Sequence, residues 1–311
     1  MAPDLRTPDG TPISRFCFGC MQFGGKADDA ESRAMYDASR EAGINFFDTA
    51  HVYTDGASET LLGRFAAGER EKLFIASKAN FTRGNGAETI RASVEESRRR
   101  LRTDRIDLYY LHRWDASTPL EESFGALAKE TAAGRIGAVG VSNFAAWQVM
   151  KAGAVARSFG IRIAMLQPMY NLVKRQAEVE ILPMARSEGF AVASYSPLGG
   201  GLLSGKYAGG ARGRVTDDPH YRVRYSSGWM HDVPLVLSEI AALAGVHPAT
   251  LAVAWVARHP GITAPIISAR SAGQLRPSLA ALGFPMDDDL HARLSALSPA
   301  PPPATDRLEE A

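Results

Sequence analysis

The chain has 311 residues, 45% of them hydrophobic and 22% charged, enough to bury one large core or two ordinary ones. Lys plus Arg number 35 against 34 Asp plus Glu, so the charge balance points to neither nucleic acid nor an acidic membrane surface. The start Met1-Ala2-Pro3-Asp4 lacks an apolar signal core and no later run nears the roughly 20 apolar residues of a membrane span, so the expectation is a cytoplasmic protein without nucleic-acid or membrane partners.

Pro8-Asp9-Gly10-Thr11 is a turn signal between short runs and predicts an N-terminal hairpin able to plug one end of a barrel. Residues 16–21 read as a first strand. Cys17 and Cys20 within it have the spacing of a redox dithiol, but the strand context makes them two packed thiols. A repeat follows: helix 31–42, strand 44–48, helix 58–67, strand 73–78, helix 88–101, strand 106–112, helix 120–133, strand 136–142, helix 145–159, strand 161–167, helix 177–187 and strand 190–195. An eighth strand at 264–268 would close the set. The pattern predicts an α/β fold, a (β/α)8 TIM barrel with an N-terminal β-hairpin and extra C-terminal helices, over residues 1–298. Residues 299–311 form a Pro-rich tail.

Local chemistry agrees with these boundaries. Gly43, Gly134 and Gly189 each follow a helical run, where a left-handed C-cap is wanted. Thr118-Pro119-Leu120-Glu121 offers an N-cap, a first-turn proline and an acid. Arg98-Arg99-Arg100 with Arg102 reads as a solvated helix face. Residues 198–230, rich in glycine and without periodicity, interrupt the repeat; the cluster Arg212, Arg214, Arg222, Arg224, Tyr221, Tyr225 and Trp229 within them suits a lid over a site.

Strand side chains alternate, so Ile44/Phe46/Asp48, Phe74/Ala76/Lys78 and Leu108/Tyr110/His112 each put one polar residue at the end of an apolar face. Tyr53 lies one short loop beyond Asp48. At the carboxyl ends of barrel strands such residues read as catalytic. A free phenol titrates near ~10; an ammonium at Lys78 would depress that value, with Asp48 holding Lys78 charged and His112 hydrogen-bonding a substrate oxygen. Such a set polarises and protonates a carbonyl, and a redox reaction there requires a cofactor. No Walker A sequence and no Gly-x-Gly-x-x-Gly after the first strand supports a Rossmann-type site. The glycine-rich run 195–207 and the segment 268–274 instead follow strands seven and eight, where barrels bind phosphates. Tyr170 and Lys174 have the spacing of a short-chain dehydrogenase pair, without the glycine-rich turn that fold requires. Ligand spacing for a metal is not seen.

These strand ends and their flanks, from Asn45-Phe46-Phe47-Asp48-Thr49-Ala50-His51-Val52-Tyr53 to Gly56-Ala57-Ser58-Glu59, resemble the aldo-keto reductases, and the resemblance runs from Gly19 to about residue 282. It implies a catalytic tetrad of Asp48, Tyr53, Lys78 and His112. It implies NADPH along the carboxyl face, touched by Gly19, Cys20, Met21 and Asp48, with its amide held by Ser142, Asn143 and Gln167 and its ring stacked on Tyr195. Ser196, Pro197, Leu198, Gly200, Leu202 and Lys206 would line the pyrophosphate; Ser268, Arg270, Ser271, Gln274 and Ser278 would take the adenosine end. The Arg270 guanidinium suits a 2′-phosphate, which favours NADPH over NADH. Ser268 stands where the family usually has glycine, and Ser278 where many members have asparagine. An aldehyde or ketone would lie between Tyr53 and His112, walled by Trp114 and Trp229. The expected activity is NADP(H)-dependent reduction of that carbonyl to an alcohol. The alternatives are a non-catalytic NADPH-binding barrel regulating a protein partner, and an aldose or alcohol dehydrogenase working in the oxidative direction.

Overall fold

The computed structural model describes residues 3–305, 307 and 309. Eight strands, β1 (Cys17–Gly19), β2 (Phe46–Asp48), β3 (Phe74–Lys78), β4 (Ile106–Leu111), β5 (Ile136–Ser142), β6 (Ile163–Gln167), β7 (Ala191–Val192) and β8 (Ile266–Ile267), form one sheet in the order β7-β6-β5-β4-β3-β2-β1-β8. Every paired neighbour is parallel. The two ends meet: the amides of Thr263 and Ala264 donate to Val192 O at 2.9 and 3.1 Å, and that of Ile266 to Ser194 O at 2.8 Å. The expected (β/α)8 barrel is therefore what forms.

Alternation along the strands sorts side chains into two cores. Cys17, Phe46, Phe74, Ala76, Leu108, Tyr110, Met165 and Ile266 fill the interior, while Phe18, Phe47, Ile75, Tyr109, Leu111 and Val192 face the surrounding helices. The hairpin forms with Arg6 bridged to Pro12, and its Leu5 and Ile13 pack against the interior cluster, closing the amino end. Cys17 lies in the inner core and Cys20 in the outer one, both free, and burial pushes both thiols up. Inert packed thiols are the reading that survives.

Helix ends follow the local chemistry with some shifts. Gly43, Gly134 and Gly189 take φ of 79°, 72° and 72°, the left-handed values expected past a helix end. Thr118 is not a cap: the helix begins at Leu120 with Pro119 in the cap position, and the Thr118 hydroxyl donates to Asp115 Oδ2 at 2.6 Å. The helix expected from 177 begins at Ile181, after a single 3-10 turn at Gln176–Glu178. The seventh strand is regular only over Ala191–Val192; beyond it Tyr195 continues the pairing as single bridges to Met169 and Ile266, its amide donating to Pro168 O at 2.9 Å.

Residues 198–230 are not a bare loop. They form 3-10 turns at Gly199–Ser204 and Lys206–Gly209 and short helices at Arg214–Asp217 and Pro219–Arg224. The Asp218 carboxylate caps the second helix through the amides of His220 and Tyr221, with Pro219 in its first turn. Tyr225 anchors the excursion: it is fully buried, and its hydroxyl accepts from Asn171 Nδ2 at 3.4 Å. Beyond them stand helices Trp229–Leu243, Pro248–Arg258, Ala272–Ala280 and Asp288–Ser295. Residues 299–303 hold no helix or strand, and residues 306, 308, 310 and 311 of the tail lie outside the described residues. No single helix among the described residues is long and apolar enough to cross a membrane.

Candidate active site

Asp48 ends β2 and Lys78 ends β3, so the barrel interior brings them together through register alone. Lys78 Nζ donates to Asp48 Oδ1 at 2.5 Å and to Thr49 O at 2.7 Å, and Gln167 Nε2 donates to Asp48 Oδ2 at 2.8 Å. Lys78 is fully buried and Asp48 nearly so, which a charge tolerates only with such partners. Burial opposes the charge on Lys78, yet Asp48 and Tyr53 beside it hold the amine above its usual value. Burial likewise pushes the Asp48 carboxyl up while Lys78 pulls it down. The ammonium lies 4.9 Å from the centre of the Tyr53 ring, and that ring meets His112 edge-on at 5.7 Å between centroids. The four expected residues thus form one cluster.

One electrostatic expectation is corrected. The Tyr53 phenol is raised, not depressed, because its burial outweighs the pull of Lys78 and Asp48 adds to the rise. A proton donor is kept protonated by the same shift. Burial, reinforced by the charges of Lys78 and Arg113, pushes the His112 imidazole down to about 3, so it is neutral at pH 7.

A cavity of about 1030 Å³ opens above this cluster. Asp48, Tyr53 and His112 line its floor with Gly19, Met21, Ser142, Asn143 and Gln167. The Tyr195 hydroxyl donates to Asn143 Oδ1 at 2.7 Å, and Asn143 Nδ2 donates to His112 O at 3.0 Å and to Ser142 Oγ at 3.1 Å. Asn143 and Ser196 adopt φ of 58° and 59°, a left-handed strain at two points of one wall. Ser196, Pro197, Leu198, Gly200 and Lys206 continue along one side, and Ser268, Arg270, Gln274 and Ser278 along another.

The residues suit a dinucleotide carrying phosphates. Gly200 has φ of 69°, and a Cβ there would stand 2.7 Å from the Tyr221 ring, so the chain passes close beneath the opening only as glycine. Burial lowers the Lys206 amine, and the charges of Arg270 and Arg214 lower it further against the pull of Asp217, an effect that a bound anion would relieve. Among the described residues the buried Ser268 hydroxyl on the same wall has no hydrogen-bond partner. Ser271 caps the helix beginning at Ala272, its Oγ accepting from Gln274 N at 3.3 Å, and does not line the cavity.

Other expected residues turn away. The side chains of Cys20 and Leu202 belong to the helix-side core. Trp114 packs edge-on against Phe144 and Trp147 at 5.3 and 5.5 Å, and Trp229 starts a surface helix; neither lines the cavity. In their place stand Val52, Phe81, Arg113 and His247, none expected from sequence, with Arg214, Tyr221 and Arg224 from the short helices. Arg212 and Arg222 of that cluster instead bind Asp217 and Thr216 O. Tyr170 is buried, donates to Glu178 Oε1 at 2.6 Å and stacks on Trp255, far from any such chemistry. Among the described residues no group of three His, Cys, Asp or Glu is arranged to hold a metal.

Sequence comparison agrees with this geometry. An oxidoreductase of Bacillus subtilis, YrpG, whose function is uncharacterised, is 35% identical over 94% of both chains. Norsolorinic acid reductase of Emericella nidulans is 33% identical over 90% of this chain and 77% of its own. Mouse aflatoxin B1 aldehyde reductase member 2 is 38% identical over 66% of this chain and 58% of its own. The family model for aldo/keto reductases matches residues 15–299, the whole barrel with its strand-end cluster, and the chain belongs to the aldo/keto reductase family.

Proposed function

We propose that this oxidoreductase is an NADP(H)-dependent reductase of aldehyde and ketone carbonyls in which Tyr53 is the proton donor. The observation that carries the reading is the buried Asp48–Lys78 pair with the Lys78 ammonium 4.9 Å from the Tyr53 ring, at the floor of the large cavity. A bound nicotinamide supplies the hydride. Tyr53 delivers its phenolic proton to the substrate oxygen, and Lys78 stabilises the phenolate that is left. Asp48, held by Gln167 from its other oxygen, keeps the ammonium charged and in place. His112, neutral, offers a hydrogen bond to the same oxygen without competing for the proton. Ser142, Asn143, Gln167 and Tyr195 would hold the nicotinamide, and Lys206, Arg214 and Arg270 the phosphates. Arg270 is the residue proposed to favour NADPH over NADH. The names of two relatives, reductases of aflatoxin B1 aldehyde and norsolorinic acid, support a carbonyl substrate.

The test is fluorescence titration with NADPH and NADH, followed by NADPH oxidation against an aldehyde panel including nitrobenzaldehyde and methylglyoxal. Tighter binding of NADPH with turnover of the panel is expected. Tight binding with no turnover would replace the reading with a regulatory barrel. Arg270→Ala should raise the NADPH dissociation constant by roughly tenfold or more, as loss of a bidentate ion pair of about 1.5–3 kcal/mol implies. Equal effects on NADH would contradict the 2′-phosphate role.

A further inference from the structure

The Lys78 ammonium has an aromatic ring on two sides. Its Nζ lies 4.9 Å from the centre of Tyr53 and 5.8 Å from the centre of Tyr110. Tyr53 belongs to the reaction. Tyr110 is fully buried beneath the floor of the cavity and does not line it, so neither substrate nor cofactor meets its side chain.

Strand register puts this second ring where it is. Lys78 pairs with Tyr110 across β3 and β4, and Tyr110 pairs with Gly140 across β4 and β5. Three adjacent positions of one interior layer therefore hold an ammonium, a phenol ring and no side chain at all. A Cβ on Gly140 would stand 2.5 Å from two carbons of the Tyr110 ring and 2.9 Å from Met165 O. The ring thus lies against bare backbone on one side, as a glycine inside a strand allows, and beside the ammonium on the other.

An ammonium has three N–H bonds to place. Two go to Asp48 Oδ1 and Thr49 O, which leaves the third for the Tyr53 oxygen as that oxygen gives up its proton. A ring face attracts a buried cation through its quadrupole, without an oxygen or nitrogen that would capture an N–H bond. The Tyr110 hydroxyl does not capture it either: it is buried and has no hydrogen-bond partner among the described residues.

We propose that the Tyr110 ring is a positioning element for the reaction, holding the Lys78 ammonium toward Tyr53 while leaving its third N–H bond free. This rests on the carbonyl-reductase reading of the site. Tyr110 acts through Lys78, and its hydroxyl is dispensable.

The experiment follows the single-turnover decay of NADPH absorbance at saturating nitrobenzaldehyde, with NADPH titrated in parallel. Tyr110→Phe keeps the ring, whereas Tyr110→Met and Tyr110→Leu replace it with apolar chains that have no π face. The Phe variant should react within about threefold of the parent and the two ring-free variants at least ~10-fold more slowly, as loss of a desolvated cation–π contact implies. The KM for the aldehyde and the NADPH dissociation constant should stay within about threefold in all three, because the ring touches neither ligand. Ring-free variants that react as fast as the parent would overturn the proposal. So would a Phe variant as slow as they are, which would assign the role to the hydroxyl. Ring-free variants that no longer bind NADPH would overturn it as well, making the ring a packing residue of the barrel. A parent that oxidises no NADPH would bring down the reductase reading itself, whereas an active parent with indifferent variants removes only the role of Tyr110.

Discussion

At the scale of single residues, His112 ties the site to pH. An ordinary histidine titrates near 6.5, and burial with the neighbouring cations pushes this one down to about 3. The unfolded chain therefore binds a proton that the folded one refuses across that interval, so stability falls as pH drops from about 6.5 toward 3, by up to about 1.4 kcal/mol per pH unit from this group. Urea titrations at pH 6.5 and 4.5 on the parent and His112→Gln should show a smaller loss in the variant; identical losses would mean that His112 is not buried neutral. The same shift predicts a pH–rate profile without a limb near 6.5. Asp48, Lys78 and His112 were legible because strand alternation marks which residues share a face. Arg113 was not, since by that alternation it belongs to the opposite face; it reaches the cavity because β4 stops at Leu111. Burial of Tyr53 was equally hidden, as no local pattern reports how deep a loop residue lies.

At the scale of elements, the Tyr53 segment is a strained strap with an anchor. Thr54, Asp55 and Gly56 take φ of 48°, 53° and 90° in succession. Arg100, reaching across from the helix Ala87–Leu101, donates from Nη1 to His51 O at 2.9 Å and to Glu59 Oε2 at 3.1 Å, and the fully buried Glu59 also accepts from Ser77 Oγ at 2.6 Å. The strap, the helix after it and the strand carrying Lys78 thus share one ion pair. Arg100→Ala would leave the Glu59 charge buried alone and should cost about 3–5 kcal/mol of stability. Glu59→Gln in the same chain should recover part of that loss, as non-additivity within one network requires. Thermal or urea unfolding of the three variants checks it, and additive losses would show that the two residues act separately. From sequence, Arg98 to Arg102 read as one solvated face. The run of like residues conceals that successive helical positions turn by about 100°, which points Arg100 inward while Arg99 pairs with Glu96 at the surface. The short helices within 198–230 were illegible for a related reason. They are too brief for periodicity and are fixed by the Asp218 cap and the buried Tyr225.

At the scale of the whole molecule, the repeat of apolar runs and amphipathic stretches specified the barrel because each βα unit buries its strand and helix faces only when closed into a ring. Closure itself rests on few bonds, since β7 and β8 are two residues each and meet through Val192 and Ser194. The barrel in turn explains why residues spread from Gly19 to Ser278 share one cavity: every strand delivers its carboxyl end to the same face. The central claim is that this face performs proton transfer from Tyr53 to a carbonyl oxygen. It is tested most directly by Tyr53→Phe, which removes one hydroxyl and leaves the ring beside Lys78. Steady-state reduction of nitrobenzaldehyde, with NADPH titrated in parallel, should show kcat lowered by at least ~10² and NADPH affinity nearly unchanged, the loss expected of a general acid. A variant that retains kcat within tenfold of the parent would contradict the account.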